Sequence, residues 1–390
     1  MQVIQTADFA NDLVKESIGE ENLLAEDLSN VTDFGNSIEN VLGVENFYKK
    51  ISDKVGRTII AAREYNPLIP SILREGWEWG SIMEKVSYGL AKFSDNPAWE
   101  LEDGISIDPF VVSMQPDVNV NFWNKLRAME IDYTRPYVQM RSAFKNPDTY
   151  RAFVAGLDIQ IKTSMTVGVD EMCMRTINNM IAETMYDLDS TGNYSGKTGV
   201  RAVNLLYIYN QSLPAGSTSL TQAEFMHNPD AIRHSINVFK NIIPRLRRLN
   251  VNYNLGGQPR HTSSDRLSIV MLSEFKNAAE TFLQSDTFHK ELVSLPNNAF
   301  TDLVCWQGTG DDYSFDKISK IKVTTSEGHN VEASGILGCM FDRDALGVMN
   351  ENFRVRTQPN EKGEYLNFFS KWDCNFFNDK NEQFVVFYAA

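Results

Sequence analysis

Three short stretches hold residue types that could do chemistry. Gly192-Asn193-Tyr194-Ser195-Gly196-Lys197-Thr198 looks like a phosphate-binding loop, in which backbone N–H groups cradle phosphates and a lysine reaches them. It is one residue short of the GxxxxGK[ST] spacing. It also follows a helical run, not a strand, and leads into Gly199 with no helix to aim N–H groups at a ligand. Asp187-x-Asp189-x-Thr191-Gly192 imitates the start of a calcium loop, but its twelfth position is Thr198 where the bidentate Glu belongs. Asp311-Asp312, after Gly308 and Gly310, pairs two carboxylates with no partner acid in view. A Gly- and Ser-rich connector is the simpler reading of 187–199. The five histidines (His227, His234, His261, His289, His329) make no HExxH, and no GxSxG or GxGxxG occurs. Cys173, Cys305, Cys339 and Cys374 lie far apart without a CxxC, so they read as free thiols of a reducing compartment. The sequence thus offers no catalytic residues, no cofactor-binding set and no metal ligands, and an enzyme is not expected.

The elements around these stretches are more telling. From Asn146 to about Tyr186 the chain reads as one helix. Asn146 suits the N-cap, Pro147 the first helical position, and Asp148 the electropositive first turn. Val154, Leu157, Ile161, Met165, Val169 and Met172 recur at helical spacing; after a one-residue phase shift Cys173, Ile177, Met180, Ile181 and Met185 continue it. Such a helix is roughly 60 Å long, more than a compact domain needs. Gly156 and Gly168 are the places where it could bend.

Residues 71–145 change character. Trp77, Trp79, Val86, Tyr88 and Leu90 suggest one extended segment, and Phe122, Trp123, Leu126, Ile131, Tyr133 and Tyr137 another. Breakers and charges separate them, including Asp95, Pro97, Asp103, Gly104, Pro109 and Pro116. The pattern predicts a long β-arm with a broad tip, holding four of the six Trp (Trp77, Trp79, Trp99, Trp123). A two-stranded ribbon cannot bury both faces by itself, so it needs a surface to lie on, in its own domain or on a neighbouring copy.

The remaining segments are ordinary. Residues 1–30 read as a polar arm, and 36–63 as a first packed helix built on Ile38, Val41, Leu42, Phe47, Tyr48 and Ile51. Leu205, Tyr207 and Tyr209 alternate like a strand. Pro229 to Asn250 reads as a helix whose basic end (Lys240, Arg245, Arg247, Arg248) suits carboxylates or water better than nucleic acid. Leu267–Leu272 reads as a buried strand, Ser273–Leu283 as a helix, and Ile318–Thr325 as a strand.

Composition excludes some classes. The net charge of −14 argues against wrapping nucleic acid, which needs clustered cations. Residues 1–50 hold ten Asp or Glu against three Lys, half of that excess, as a solvated or docking segment would. MQVIQTADFAND has neither the basic nor the apolar region of a signal peptide, and no stretch of about 18 apolar residues exists.

The C-terminal stretch carries a resemblance. Gly338-Cys339-Met340-Phe341-Asp342-Arg343-Asp344-Ala345-Leu346-Gly347-Val348 is followed by Glu361-Lys362-Gly363-Glu364-Tyr365-Leu366-Asn367, the run from Phe368 to Phe377, Asn378, and the closing Glu382-Gln383-Phe384-Val385-Val386-Phe387-Tyr388. This resembles the C-terminus of tailed-bacteriophage major capsid proteins, the group with the HK97-type fold, and the order of parts along the whole chain is similar too.

The resemblance implies an α+β, HK97-like capsid fold. Its parts would be an N-terminal arm (1–35), the start of a peripheral domain (36–66), an extended β-hairpin loop (67–137), the peripheral domain with its spine helix (138–195), an axial mixed α/β domain (196–338) and a C-terminal return to the peripheral domain (339–390). Trp372, Phe376, Phe377, Phe384, Val386 and Tyr388 would pack one small sheet beside the spine. Function follows as a structural subunit that self-assembles into pentamers and hexamers of an icosahedral shell enclosing double-stranded DNA of a tailed phage, which it would meet without sequence-specific contact and without gripping it. An encapsulin-like nanocompartment shell is the alternative. Trp77, Trp79, Trp99, Phe110 and Trp123 of the loop would make intersubunit contacts. Portal, scaffolding or decoration proteins would be further partners, with no membrane involved, and the virion would assemble in the bacterial host cytoplasm. The short stretch before residue 36 leaves little room for the built-in scaffolding segment of some members, so a separate scaffold, or none, is expected.

Overall fold

The computed structural model describes residues 10–11, 23–25, 29–41, 69, 72–74, 83–90, 110, 118–123, 126–138, 147–284, 300–308 and 314–390, with backbone alone at 40–41, 83, 126, 147–160, 162, 283–284 and 300. In chain order the described elements are α1 (Val31–Val41), β1 (Leu73–Arg74), β2 (Met83–Tyr88), β3 (Val118–Trp123), β4 (Leu126–Pro136), α2 (Pro147–Leu188), β5 (Ala202–Asn204), α3 (Leu205–Ser212), α4 (Gln222–Phe225) and α5 (Pro229–Arg247). There follow β6 (Leu267–Leu272), α6 (Ser273–Gln284), β7 (Phe300–Leu303), α7 (Phe315–Ile318), β8 (Ile321–Thr324), β9 (Asn330–Ala333), β10 (Ile336–Asp342), β11 (Leu346–Asn360), β12 (Tyr365–Asn378) and β13 (Phe384–Tyr388). Internal contacts divide the chain into two units. One comprises Met1–Trp79, Leu126–Cys173 and Val348–Phe376, and the other Gly80–Lys125, Met174–Gly347 and Phe377–Ala390.

The long helix is continuous: α2 runs for 42 residues through Gly168 without a break. Its apolar stripe does not stay a stripe. From Thr176 to Met185 every residue but Asn179 is buried, so this end is enclosed on all sides, the condition of a core helix.

In the first unit the sheet order is β1-β11-β12-β4. β12 pairs antiparallel with β4 from Tyr365↔Pro136 to Asn375↔Leu126. Leu366, Phe368, Ser370 and Trp372 alternate into the core, the period of two that a half-buried strand requires. Tyr133 stacks on Phe368 with centroids 4.7 Å apart. Across the same sheet Arg354 grips Asp373 with two parallel bonds of 2.9 and 3.0 Å.

In the second unit the sheet order is β5-β13-β10-β6-β7. Its middle strands β6, β10 and β13 are buried along their whole length, as near-continuous apolar runs dictate when both faces are covered. α5 repeats the Asn-Pro-Asp start: Asn228 Oδ1 accepts from the N–H groups of Asp230 and Ala231 at 3.0 and 3.1 Å. Its inner face (Ile232, Ile236, Phe239, Ile243, Leu246) lies in the core, where Phe239 stacks on Phe387 at 3.8 Å. Trp306 is fully buried and donates its indole N–H to Ile336 O at 2.9 Å.

Four sequence expectations are corrected. Residues 205–212 form helix α3, not a strand, because Asn204 caps it by accepting from the Tyr207 N–H at 3.1 Å. The strand expected over 318–325 is four residues, preceded by a helical turn. Trp372 and Phe384 fall in two different sheets, because β12 pairs with β4 while β13 pairs with β10 and β5. The first helix starts at Val31, with Val31, Phe34 and Ile38 buried; residues 42–63 of the expected helix lie outside the described residues. No described helix is long and apolar enough to cross a membrane.

Candidate assembly interface

β2 and β3 form a two-stranded antiparallel ribbon whose register sorts its side chains cleanly. Glu84↔Phe122, Val86↔Val120 and Tyr88↔Val118 share one face; Lys85↔Asn121 and Ser87↔Asn119 share the other. The usual arrangement puts the apolar face inward. Here it is reversed. Val86, Tyr88, Val118, Val120 and Phe122 are all exposed, Tyr88 by 70% and Phe122 by 63%.

The polar face holds the ribbon down. Lys85 Nζ donates to Asp379 Oδ2 at 2.7 Å and to Glu382 Oε1 at 2.8 Å, in the turn that follows β12. Asn121 donates to the other oxygen of Asp379 at 3.2 Å. Burial works against the Lys85 charge, but the two carboxylates outweigh it and raise its pKa. Burial raises the pKa of Glu382 despite Lys85 and Arg260 beside it. Trp123 closes the base of the ribbon, its ring centroid 5.1 Å from that of Phe377. Phe377 in turn covers Gly347, where a Cβ would stand only 2.0 Å from the ring.

Of the loop residues expected to make intersubunit contacts, Trp123 is thus half-buried at the ribbon's foot, and Phe110 is 86% exposed. Trp77, Trp79 and Trp99 lie outside the described residues. The exposed aliphatic and aromatic partners Val86, Val118, Val120 and Phe122 were the part that residue counting missed. Their alternation was visible, but alternation does not say which face points out.

The loop that imitates nucleotide and calcium sites is occupied by its own contacts. Lys197 pairs with Asp189, which also accepts from the N–H and hydroxyl of Thr191 at 3.0 and 2.9 Å. The Lys197 bond holds the Asp189 carboxyl down at about 2. Gly192 and Gly196 take φ of 79° and 67°, which closes the turn. The loop borders a cavity of about 560 Å³ with Asn210, Thr221, Gln222 and Glu332, a lining without a cation to meet a phosphate. Asp311-Asp312 lies outside the described residues. Burial lifts the thiols of Cys173 and Cys374 to about 12, so neither is a nucleophile near neutral pH.

A family model described as "Phi29-like phage major capsid protein" matches residues 10–388. No curated protein matches the sequence. Among solved structures, the chain is similar to one from the structure of the head fiber and inner core protein gp22 of native bacteriophage P68, at 9% identity and a TM-score of 0.51, covering 84% of this chain and 85% of that one. It is also similar to a chain of the Staphylococcus phage Andhra capsid, at 9% identity, 84% and 87% coverage and a TM-score of 0.48. The P68 likeness shows a shared fold of mixed helix and strand.

Proposed function

Because this chain belongs to the Phi29-like phage major capsid protein family and is a structural subunit of a virion shell, we propose that the inverted ribbon of β2 and β3 is its main assembly handle, lying across an adjacent copy. The observation that carries this is the reversed polarity. Five apolar side chains project into water while a lysine is turned inward onto two carboxylates. Burying one such side chain fully is worth about 1.5–3 kcal/mol, so covering the stripe on a neighbour is a strong drive even after the entropy of association. Trp77, Trp79, Trp99 and Phe110 belong to the same reaching segment in this reading, and Trp123 anchors its foot.

Contacts of this kind join one patch to a different patch on the next copy, and rotation then closes rings. The rings are pentamers and hexamers of an icosahedral shell enclosing double-stranded DNA, assembled in the host cytoplasm with portal and scaffolding or decoration proteins, on an HK97-type order of parts. The role needs no catalysis, because the work is done by complementary surfaces made many times over.

The test is shell formation by the Tyr88→Ser, Phe122→Ser double variant, followed by electron microscopy and sedimentation. Both side chains are exposed in the subunit, so the variant should fold with an unchanged circular dichroism spectrum yet remain as small species. Shells of normal yield and stability would overturn the assignment.

A further inference from the structure

The end of α5 lies in a long stretch whose charges are all positive. From Ala231 to Ser264 there is no Asp or Glu and there are six Lys or Arg, in a chain of net charge −14. Two of those cations are paired locally, Arg233 with Asp230 and Arg260 with Glu382. The others are not: Lys240, Arg245, Arg247 and Arg248 form no ion pair with a described residue, and the three arginines are exposed. The helix C-terminus accounts for about half a negative charge, far less than three guanidiniums. The turn beyond the helix adds Leu249 and Val251, each nearly half exposed. Asn250 holds this turn in shape. Its side chain donates to Arg245 O and Arg248 O at 3.0 and 2.6 Å, and its backbone exchanges two bonds with Arg260. The result is a braced patch of cations flanked by two aliphatics.

At the other electrostatic extreme, Met1–Val41 holds nine Asp or Glu and one Lys. Apolar residues (Phe9, Leu13, Ile18) are interleaved among those acids. That is the chemistry that arginines beside a leucine and a valine recognise. A phosphate backbone would use the charges and leave the aliphatics uncovered.

We propose that the patch at the end of α5 docks the acidic N-terminal stretch of a second copy of this chain. The inference rests on the shell reading, in which patch and stretch occur in equal number and a contact between unlike surfaces can propagate around a ring. It concerns a different surface from the ribbon, so the two can fail separately.

The test mixes isotopically heavy and light full-length chains, lets them assemble, and treats the particles with a water-soluble carbodiimide, which joins Lys240 to any carboxylate in contact. Mass spectrometry should find Lys240 joined to acids between Asp8 and Glu39, in peptide pairs with one heavy and one light member. In parallel, the Arg245→Glu, Arg247→Glu, Arg248→Glu variant should lose at least about tenfold in particle yield near 0.15 M salt. Adding Asp8→Lys, Asp12→Lys and Glu16→Lys should restore it. All three arginines are exposed, so the unassembled reversal variant should melt as the wild type does. The proposal is overturned by cross-links found only within single chains. It is equally overturned if the reversal variant assembles normally, including the case in which its particles merely lose DNA. Wild-type chain that forms no assembly of any kind, sheets and tubes included, overturns the shell reading, and this contact with it.

Discussion

The ammonium of Lys85 stands 2.7 Å from a carboxylate oxygen of Asp379, and this pair decides which face of the ribbon meets water. Asp379 is 1% exposed at its side chain, so removing its cation leaves a buried charge uncompensated. Lys85→Met should therefore destabilise the ribbon by about 1–3 kcal/mol, less than the ~3–5 of a fully buried pair because Lys85 remains partly solvated. Hydrogen exchange should show protection of residues 83–88 and 118–123 falling about tenfold or more while β6 and β10 stay protected. Unchanged protection would mean that the ion pair does not hold the ribbon.

Gly347 should not tolerate a methyl group. Its Cβ would meet the Phe377 ring at 2.0 Å, and that ring is already packed against Trp123. Gly347→Ala should lower stability by about 1–3 kcal/mol in chemical denaturation, the usual range for overpacking. Combining it with Phe377→Ala should give less than the sum of the two single effects, because the clash has been removed.

The Asp189–Lys197 pair sets an acid dependence. Hydrogen bonding to Lys197 depresses the Asp189 carboxyl from the ordinary range to about 2. A depressed carboxyl stabilises the fold above its unfolded value and loses that contribution as pH falls through the folded value. Asp189→Asn should then lower the melting temperature at pH 7 and have progressively less effect from about pH 4 down to about pH 2. A difference between the two proteins that stays constant across that window would contradict the assignment.

Trp306 tests the core of the second unit. Trp306→Phe keeps most of the ring but removes the donor that Ile336 O uses at 2.9 Å, and should cost about 1–3 kcal/mol. Trp306→Ala should cost about 3–5 kcal/mol, since the site is fully buried. Urea midpoints of the two variants measure both.

Local signals carried well into structure. Asn228-Pro229-Asp230 started α5 where it stands, and Pro147 is the first residue of α2, because caps and fixed proline dihedrals act within a few residues. Leu267–Leu272 is the strand its apolar run suggested. Leu205–Tyr209 misled because an alternating apolar pattern over five residues fits a strand and a short helix equally, and the Asn204 cap tips the balance. The ribbon's orientation was illegible for a different reason. The partners of Lys85 lie almost three hundred residues downstream, and nothing near Lys85 announces Asp379 or Glu382. The imitation phosphate loop is the converse case: its residue types were suggestive, and only the Asp189 contact shows that its lysine is already engaged.

The outward-turned stripe also fixes how a lone subunit behaves before it finds its place. Such a molecule is adhesive, and its adhesiveness grows with concentration. Overproduced without a chaperoning companion, it should give sheets, tubes and precipitates as readily as closed particles. If the stripe is the assembly handle proposed above, subunits stay out of such side products only while growing shells take them up about as fast as they are made.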